Sequence, residues 1–371
     1  MKYLILNRIK VQNANAVAGL TWGFPAITHF LGFTHNISRK LSSHHLLSKI
    51  KLEGCSVVSH DQITHTFGKY DKSFTQYRSQ PYRHGENKKD SSPPIIEEGK
   101  MNMTISIIIK IDGNIGNMDE RFLEFIQNCC FSQKLAGGTI LSIECIELLS
   151  EIKDIKKKLL PGFVLMDRSD YLEAYHQEKL REDSDIKDCH LKVWLDFSAL
   201  KQSARPSYSL ISKEISKNLK EYKEEWEGHL EKKPYTINSI PNQVKEYFLK
   251  LKKDKKNKKL LEEWESYLNP TSKTNAEWEY VTKPESGFLV PIMSGYKAIS
   301  PVYKNNEIEN TRDHETDVCF AESIYSIGEW LSPHRVKDLD DTLWYYRYEE
   351  NHYLCTQVKN ELLESEEEAD Y

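Results

Sequence analysis

The chain has 371 residues, 39% of them hydrophobic and 29% charged, with a formal net charge of -5. That length buries an ample core, and the mixed polarity excludes collagen-like and low-complexity classes. No apolar run reaches bilayer length, and MKYLILNRIK turns polar too soon for a secretory signal, so a cytoplasmic protein is expected. Seven cysteines without a CxxC pair suit reduced thiols, and no His/Cys cluster falls at ligand spacing, so neither a metal nor a cofactor is expected.

In chain order, KYLILNRIKV predicts a strand, with Leu4, Leu6 and Ile9 to Val11 as its apolar residues. It runs straight into Gln12, Asn13 and Asn15, then Trp22, Gly23, Phe24 and Pro25, which is more than a connection to a helix requires. After Pro25, the residues Ile27, Phe30, Leu31, Thr34, Ile37 and Leu41 recur at helical spacing. EGCSVVSHDQITHTF alternates like a strand. A long polar stretch at about 67–94, basic, aromatic and closed by two prolines, predicts a functional or disordered loop.

MNMTISIIIKID is the clearest strand, and DERFLEFIQNCCFSQKL a short helix with acidic residues in its first turn and Lys134 in its last. Cys129 and Cys130 read as core. AGGTILSIECIELL and PGFVLMDR predict further strands. Gly137 and Gly138 lack P-loop and dinucleotide spacing, and so mark a tight turn approached closely by backbone. The order strand, helix, strand, then strand, helix, strand implies an α+β fold with a ferredoxin-like, RNA-recognition-motif sheet, a fold that by itself decides no function.

Residues 205–270 differ in kind. One apolar stripe carries Ile211, Ile215, Leu219, Tyr222, Trp226 and Leu230, and a second runs through QVKEYFLKL and LLEEWESYL, so a helical hairpin inserted in the β-rich core is expected. Its run KKDKKNKK places Lys252, Lys253, Lys255, Lys256, Lys258 and Lys259 together, either as a solvated face or as a contact for DNA or an acidic partner. GFLVPIMSGYKAISPVY predicts two strands about a turn at Ser294 and Gly295. The expected organisation is 1–204 as the sheet core with its loop at 67–94, 205–270 as the insertion, and 271–371 as the rest of the core with an acidic tail.

For chemistry, His44, His45, His60 and His65 stand without a nucleophile motif, and Asp313 and Glu315 have Arg312 and His314 beside them as simpler partners in a salt-linked turn. Single-stranded RNA is read by aromatic stacking, hydrogen bonds to base edges and cations on phosphates. The amides of Gln12, Asn13 and Asn15, the rings of Trp22 and Phe24, and the Tyr77-Arg78 and Tyr82-Arg83 pairs supply those groups. Tyr296 and Lys297 in SGYK and His334 and Arg335 in SPHR add to them, as does Arg39. Trp22 and Phe24 serve equally well as core plugs.

Taken together, RIKVQNANA with LTWGFP and FLGFTH, then LAGGTIL, LLPGFVLMDR, GFLVPIMSGYKAISPVY, and RDHET with GEWLSPHRV resemble, in the same order, the second-subunit family of the type I-F CRISPR surveillance complex. The resemblance spans roughly residues 3 to 350. It implies a non-catalytic Cas protein of the repeat-associated superfamily that caps the 5′ handle of crRNA. Its implied partners are the large subunit and backbone subunits, with target DNA met through the assembled complex and no membrane. By the same resemblance Arg8, Gln12, Asn13, Asn15 and Trp22 lie against the handle, and the 67–94 loop is a hairpin thumb bringing Arg78 and Arg83 to phosphates. A longer helical hairpin than the family's usual connection leaves open a compact variant, in which the insertion replaces the large subunit in reading target DNA. A repeat-RNA endonuclease with His60 or His65 as base, and a scaffold that never touches RNA, are the further alternatives.

Overall fold

The first strand, β1 (Lys2–Asn15), is apolar on both faces, with Leu4, Leu6, Ile9 and Val11 in one core and Tyr3 and Ile5 in another, so the sheet around it must be covered on both sides. This computed structural model describes residues 2–18, 21–69, 73–78, 95–182, 189–233, 236–251, 257–271, 273–309, 311 and 315–357. The chain divides into two units, 1–198 with 285–371, and 199–284.

In the first unit, β2 (Val17–Ala18) and β3 (Thr21–Trp22) form a small hairpin before α1 (Ile27–Ser42), which buries the stripe Ile27, Phe30, Leu31, Thr34, Ile37 and Leu41. β4 (Lys51–Phe67) is followed by β5 (Ser73–Arg78) and β6 (Ile95–Glu98), which pair with each other, and β5 also pairs with the end of β4. The stretch read as one polar loop therefore holds a strand at its start, and 79–94 lies outside the described residues. β7 (Lys100–Asp112), α2 (Asp119–Phe131) and β8 (Thr139–Leu149) follow. Every pairing is antiparallel, in the order β4-β7-β1-β8.

α1 and α2 cover one face through Phe30, Ile37, Phe122 and Ile126, with Cys129 and Cys130 buried beside them. α3 (Ile152–Lys158) covers part of the other through Ile155 and Leu159, joined there by Val336, Leu339 and Leu343. β9 (Phe163–Asp167) extends the sheet beyond β4. α4 (Ser169–Glu182) and α5 (Cys189–Ser198) occupy a stretch for which no helix was expected. Only α5 has a clear buried stripe, Cys189, Val193, Trp194 and Phe197.

The second unit is closed by β10 (Gln202–Pro206) paired with β11 (Ala276–Tyr280), and between them lie α6 (Ser209–Asn218), α7 (Lys223–Glu231), α8 (Asn242–Leu251) and α9 (Lys258–Leu268). Among the described residues the expected two-helix hairpin is thus four short helices. The chain breaks at a 3-10 turn over Lys220–Tyr222, so that Ile211, Ile215 and Trp226 reach the same core as Val244, Phe248, Trp264 and Tyr267. Tertiary packing here overrides an unbroken helical stripe.

Back in the first unit, β12 (Leu289–Ala298), β13 (Ala321–Leu331), β14 (Tyr345–Glu349) and β15 (His352–Thr356) complete the order β14-β15-β12-β13-β9-β4-β7-β1-β8. The turn expected at Ser294 and Gly295 does not form: β12 runs through both residues with a bulge between Met293 and Gly295. The glycine serves close approach instead, since a Cβ there would collide with the carbonyl oxygen of Tyr353.

Candidate nucleic-acid interface

The polar residues that interrupt β1 are placed by two bulges. Leu6 pairs with Ile107 and Ile9 with Ile105, so Asn7 and Arg8 share one position opposite Ser106. Val11 pairs with Met103 and Ala14 with Met101, so Gln12 and Asn13 share one opposite Asn102. Arg8 and Asn13 take up the extra residue with positive φ, 49° and 57°, a conformation that asparagine tolerates better than arginine. On the far side of β7, β4 is irregular between Ser59 and Asp61, which sets His60 as its own extra residue.

These irregularities converge on one hydroxyl. Ser106 Oγ accepts the Arg8 backbone N–H at 2.9 Å and lies 2.7 Å from His60 Nε2 and 2.9 Å from Asn7 Oδ1. His60 Nδ1 donates to the carbonyl of Pro161 at 2.7 Å. Burial holds the imidazole below its ordinary pKa, opposed by its hydrogen bond to the Pro161 carbonyl and aided by the nearby Arg8 charge. The Arg8 guanidinium donates to the Leu160 carbonyl at 3.0 Å and lies 3.8 Å from Glu144, leaving its side chain 25% exposed. Arg8 is thus a clamp between β1 and the turn ahead of β9, and His60 is engaged at both ring nitrogens.

Beyond this network the sheet face opposite α1 and α2 lies open. Lys10 sits between Ile9 and Val11, Thr104 between Met103 and Ile105, and Asn102 between Met101 and Met103; those apolar neighbours all pack toward the helices. Lys10, Thr104 and Asp61 stand in register across β1, β7 and β4, and Ser142 of β8 registers on the other side of Lys10. One step along, the Asn13 backbone N–H donates to Asn102 Oδ1 at 3.1 Å, and Gln12 registers with Thr139. Gln12, Asn13, Lys10, Asn102 and Ser142 are exposed. This is a strip of amides and hydroxyls with one cation, Lys10, and one carboxylate, Asp61, in the same row, suited to base edges and ribose hydroxyls more than to phosphates.

The strip is bounded by the hairpin that follows β1. Asn15 donates from Nδ2 to the Val17 carbonyl at 3.1 Å, and Trp22 packs on Phe74 of β5 with ring centroids 4.6 Å apart. Phe24 is buried against Phe30 and Trp330, which makes it a core residue. Gly138 lies against the second bulge, where a Cβ would stand 2.6 Å from the Gln12 carbonyl oxygen, the close backbone approach expected of it.

Among the described residues, the other sequence candidates lie elsewhere. Arg39 is exposed in the last turn of α1, on the helix-covered side. Tyr296 registers with Tyr353, whose ring stacks on Tyr346 at 5.9 Å, and Tyr346 stacks on His35 of α1 at 5.8 Å, an aromatic row that sequence spacing did not group. Lys297 is exposed and registers with His352. His334 and Arg335 are exposed on the turn Pro333–Arg335, whose next residue, Val336, packs with Tyr3 and Ile5. Lys258 and Lys259 are exposed at the start of α9, with Lys258 3.8 Å from Glu262. Arg78 is a strand residue of β5, opposite Ile95. Arg83, Lys252, Lys253, Lys255, Lys256, Arg312, Asp313 and His314 lie outside the described residues.

Asn102, Thr104, Asp61 and Ser142 were missed by sequence reading. The signal was present in MNMTIS, whose polar residues alternate with apolar ones as on a strand with one open face. Among the described residues no three His, Cys, Asp or Glu side chains gather as metal ligands, and no helix is long and apolar enough to cross a membrane.

Compared with known proteins, residues 4–241 and 235–355 match the model of the CRISPR-associated protein family Cas_Csy2. A curated relative, CRISPR-associated protein Csy2 of Pseudomonas aeruginosa (strain UCBPP-PA14), is 30% identical over 369 residues, covering 93% of this chain and 91% of the relative.

Proposed function

We propose that this chain, which belongs to the CRISPR-associated Csy2 family, is a non-catalytic subunit of a type I-F RNA-guided surveillance complex and caps the 5′ handle of the guide RNA. The large subunit and the first backbone subunit are its protein partners, and target DNA is met through the assembled complex. The observation that carries the reading is the open polar end of β1, β7 and β4, in a chain matched to this family from residue 4 to residue 355. The strand order β4-β7-β1-β8 with α1 and α2 on one face is that of the split βαβ unit of RNA-recognition sheets, which supports an RNA-recognition-type core.

Asn13 and Asn102 would address base edges or ribose hydroxyls, Lys10 a phosphate, and Trp22 the stacking edge of the strip. The arm of β5 and β6, with Arg78 and Arg83, would act as the thumb that lies over the guide. His60, engaged at both ring nitrogens, suits a structural role better than that of a catalytic base.

The test is co-expression with the neighbouring subunits and a guide RNA, followed by purification and binding titrations across salt. The expected result is RNA-bound assembly whose salt slope falls by about 1 on Lys10→Glu, and by more when Arg78→Glu and Arg83→Glu are added. Assembly that carries RNA with an unchanged slope in all three variants would remove the strip and the arm from the interface. Metal-independent cleavage of precursor RNA, lost on His60→Ala, would overturn the non-catalytic assignment.

A further inference from the structure

The sheet of the first unit ends in two unlike edges. β14, at one end, has five residues, YYRYE, with Arg347 and Glu349 paired at 3.3 Å. Short length and charge are the usual ways of keeping an edge strand from recruiting another chain. β8, at the other end, has 11 residues, TILSIECIELL, and contains neither proline nor lysine. Its only bulge against β1 lies at Leu141, leaving Ser142 to Leu149 in continuous register. Among the described residues no strand pairs with its outer side. A long, regular edge of this kind, with Glu144 and Glu147 as its charged residues, is a template for strand addition.

Beside that edge lies a depression of about 420 Å³ between β8 and α2. Its floor is apolar, from Leu123, Ile143 and Ile146, and Phe131 stands at its end, 47% exposed. Its rim is acidic, with Glu120 and Glu124 one turn apart on α2 and Glu144 on β8, all exposed. The glutamates of α2 lie on the same side as the groove, so a chain paired to β8 would need apolar and basic side chains together on that one face, at positions two residues apart.

We propose that the β8 edge and the α2 groove form a docking site for an extended, basic segment of another protein chain, which adds to the sheet as a strand. Its apolar side chains fill the groove, and its lysines or arginines meet Glu120, Glu124 and Glu144. This interface borders the polar strip of β1, β7 and β4 at Ser142 and does not depend on the RNA reading.

The experiment is amide hydrogen exchange on the full chain without RNA. The chain is titrated with a synthetic peptide, long enough to span Ser142 to Leu149, in which every second residue is in turn valine and lysine with threonine between, and separately with a peptide of the same length in which glutamate replaces lysine. The expected result is that alternate amides of β8 slow by about tenfold or more with the lysine peptide only. In the double variant Glu120→Lys with Glu124→Lys, two exposed changes that leave the core intact, the preference passes to the glutamate peptide. No slowing at saturating solubility of the lysine peptide, or equal slowing by both peptides, overturns the proposal. So does protection of the same amides by an oligouridylate, which would assign the edge to nucleic acid.

Discussion

His60 in the sheet unit and His229 in the helical unit are both hydrogen-bonded at each ring nitrogen, yet they do different work. His229 is 2% exposed and sits among Trp226, Trp264 and Tyr267. Ser239 Oγ donates to the Thr236 carbonyl, so it accepts from His229 Nδ1 at 2.7 Å, and the Tyr267 hydroxyl donates to Nε2 at 2.8 Å. This histidine locks an aromatic core. His60 stands at the rim of the open polar face and ties the irregularities of β1 and β4 to Ser106. In the helical unit polar side chains are placed by burial, whereas in the sheet unit bulges place them, and the residues beside the bulges are the ones left available to a ligand.

The largest expected effect tests whether the helical unit has a core of its own. Trp264 stacks on Phe248 at 4.1 Å and is fully enclosed, so Trp264→Ala should cost about 3–5 kcal/mol. Calorimetry should show the loss in a transition belonging to residues 199–284, with the sheet's transition unmoved. A common downward shift of all unfolding would break the comparison.

Acid should act next. Burial lowers the His229 pKa from 6.5 to about 4, aided by the charges of Arg205, Lys245 and Lys232, so the folded unit holds a neutral imidazole. Below pH 6.5 the unfolded chain binds a proton that the folded chain refuses, and stability falls until about pH 4, by about 3 kcal/mol in all. His60 is lowered too, so the sheet loses stability in the same direction below pH 6.5. Denaturant unfolding at pH 7 and pH 5, with and without His229→Gln, reads the term; a pH dependence unchanged by the substitution would sink it.

Ser106→Ala removes the hydroxyl on which Arg8, His60 and Asn7 converge, and should cost about 1–3 kcal/mol by leaving buried polar groups unpaired. NMR of the His60 ring should show its titration moved, which a simple packing loss would not do. The smallest effect on stability, about 1 kcal/mol, is expected for Asn13→Ala with Asn102→Ala, because both side chains are exposed and the cost comes from placing alanine at the positive φ of Asn13. That pair should lose discrimination between handle sequences while keeping the salt slope, since base-edge contacts specify and phosphate contacts position.

Much of the sheet was legible because β1, β4, β7 and β8 carry strong apolar runs, and α1 and α2 a clear stripe. The errors lie where local pattern and tertiary demand diverge. Ser294 and Gly295 look like a turn, but the glycine answers to the Tyr353 carbonyl of the neighbouring strand. The stripe from Ile211 to Leu230 looks like one helix, but it must fold back to share a core with Trp264.

By itself the amino-acid sequence determined that β1, β4, β7 and β8 are strands and α1 and α2 helices, that Cys129 and Cys130 are core, and which family the motifs resemble. These properties follow from the spacing of apolar residues and from short local runs, and they need no knowledge of which strand lies beside which. Only the tertiary structure decided that Asn13 meets Asn102, that Lys10, Thr104 and Asp61 form one row, that Arg8 and His60 meet at Ser106, and that β8 is left as an edge. Register between strands distant in sequence is set by bulges and by the packing of both sheet faces, and a one-residue slip would turn each of these side chains to the other side.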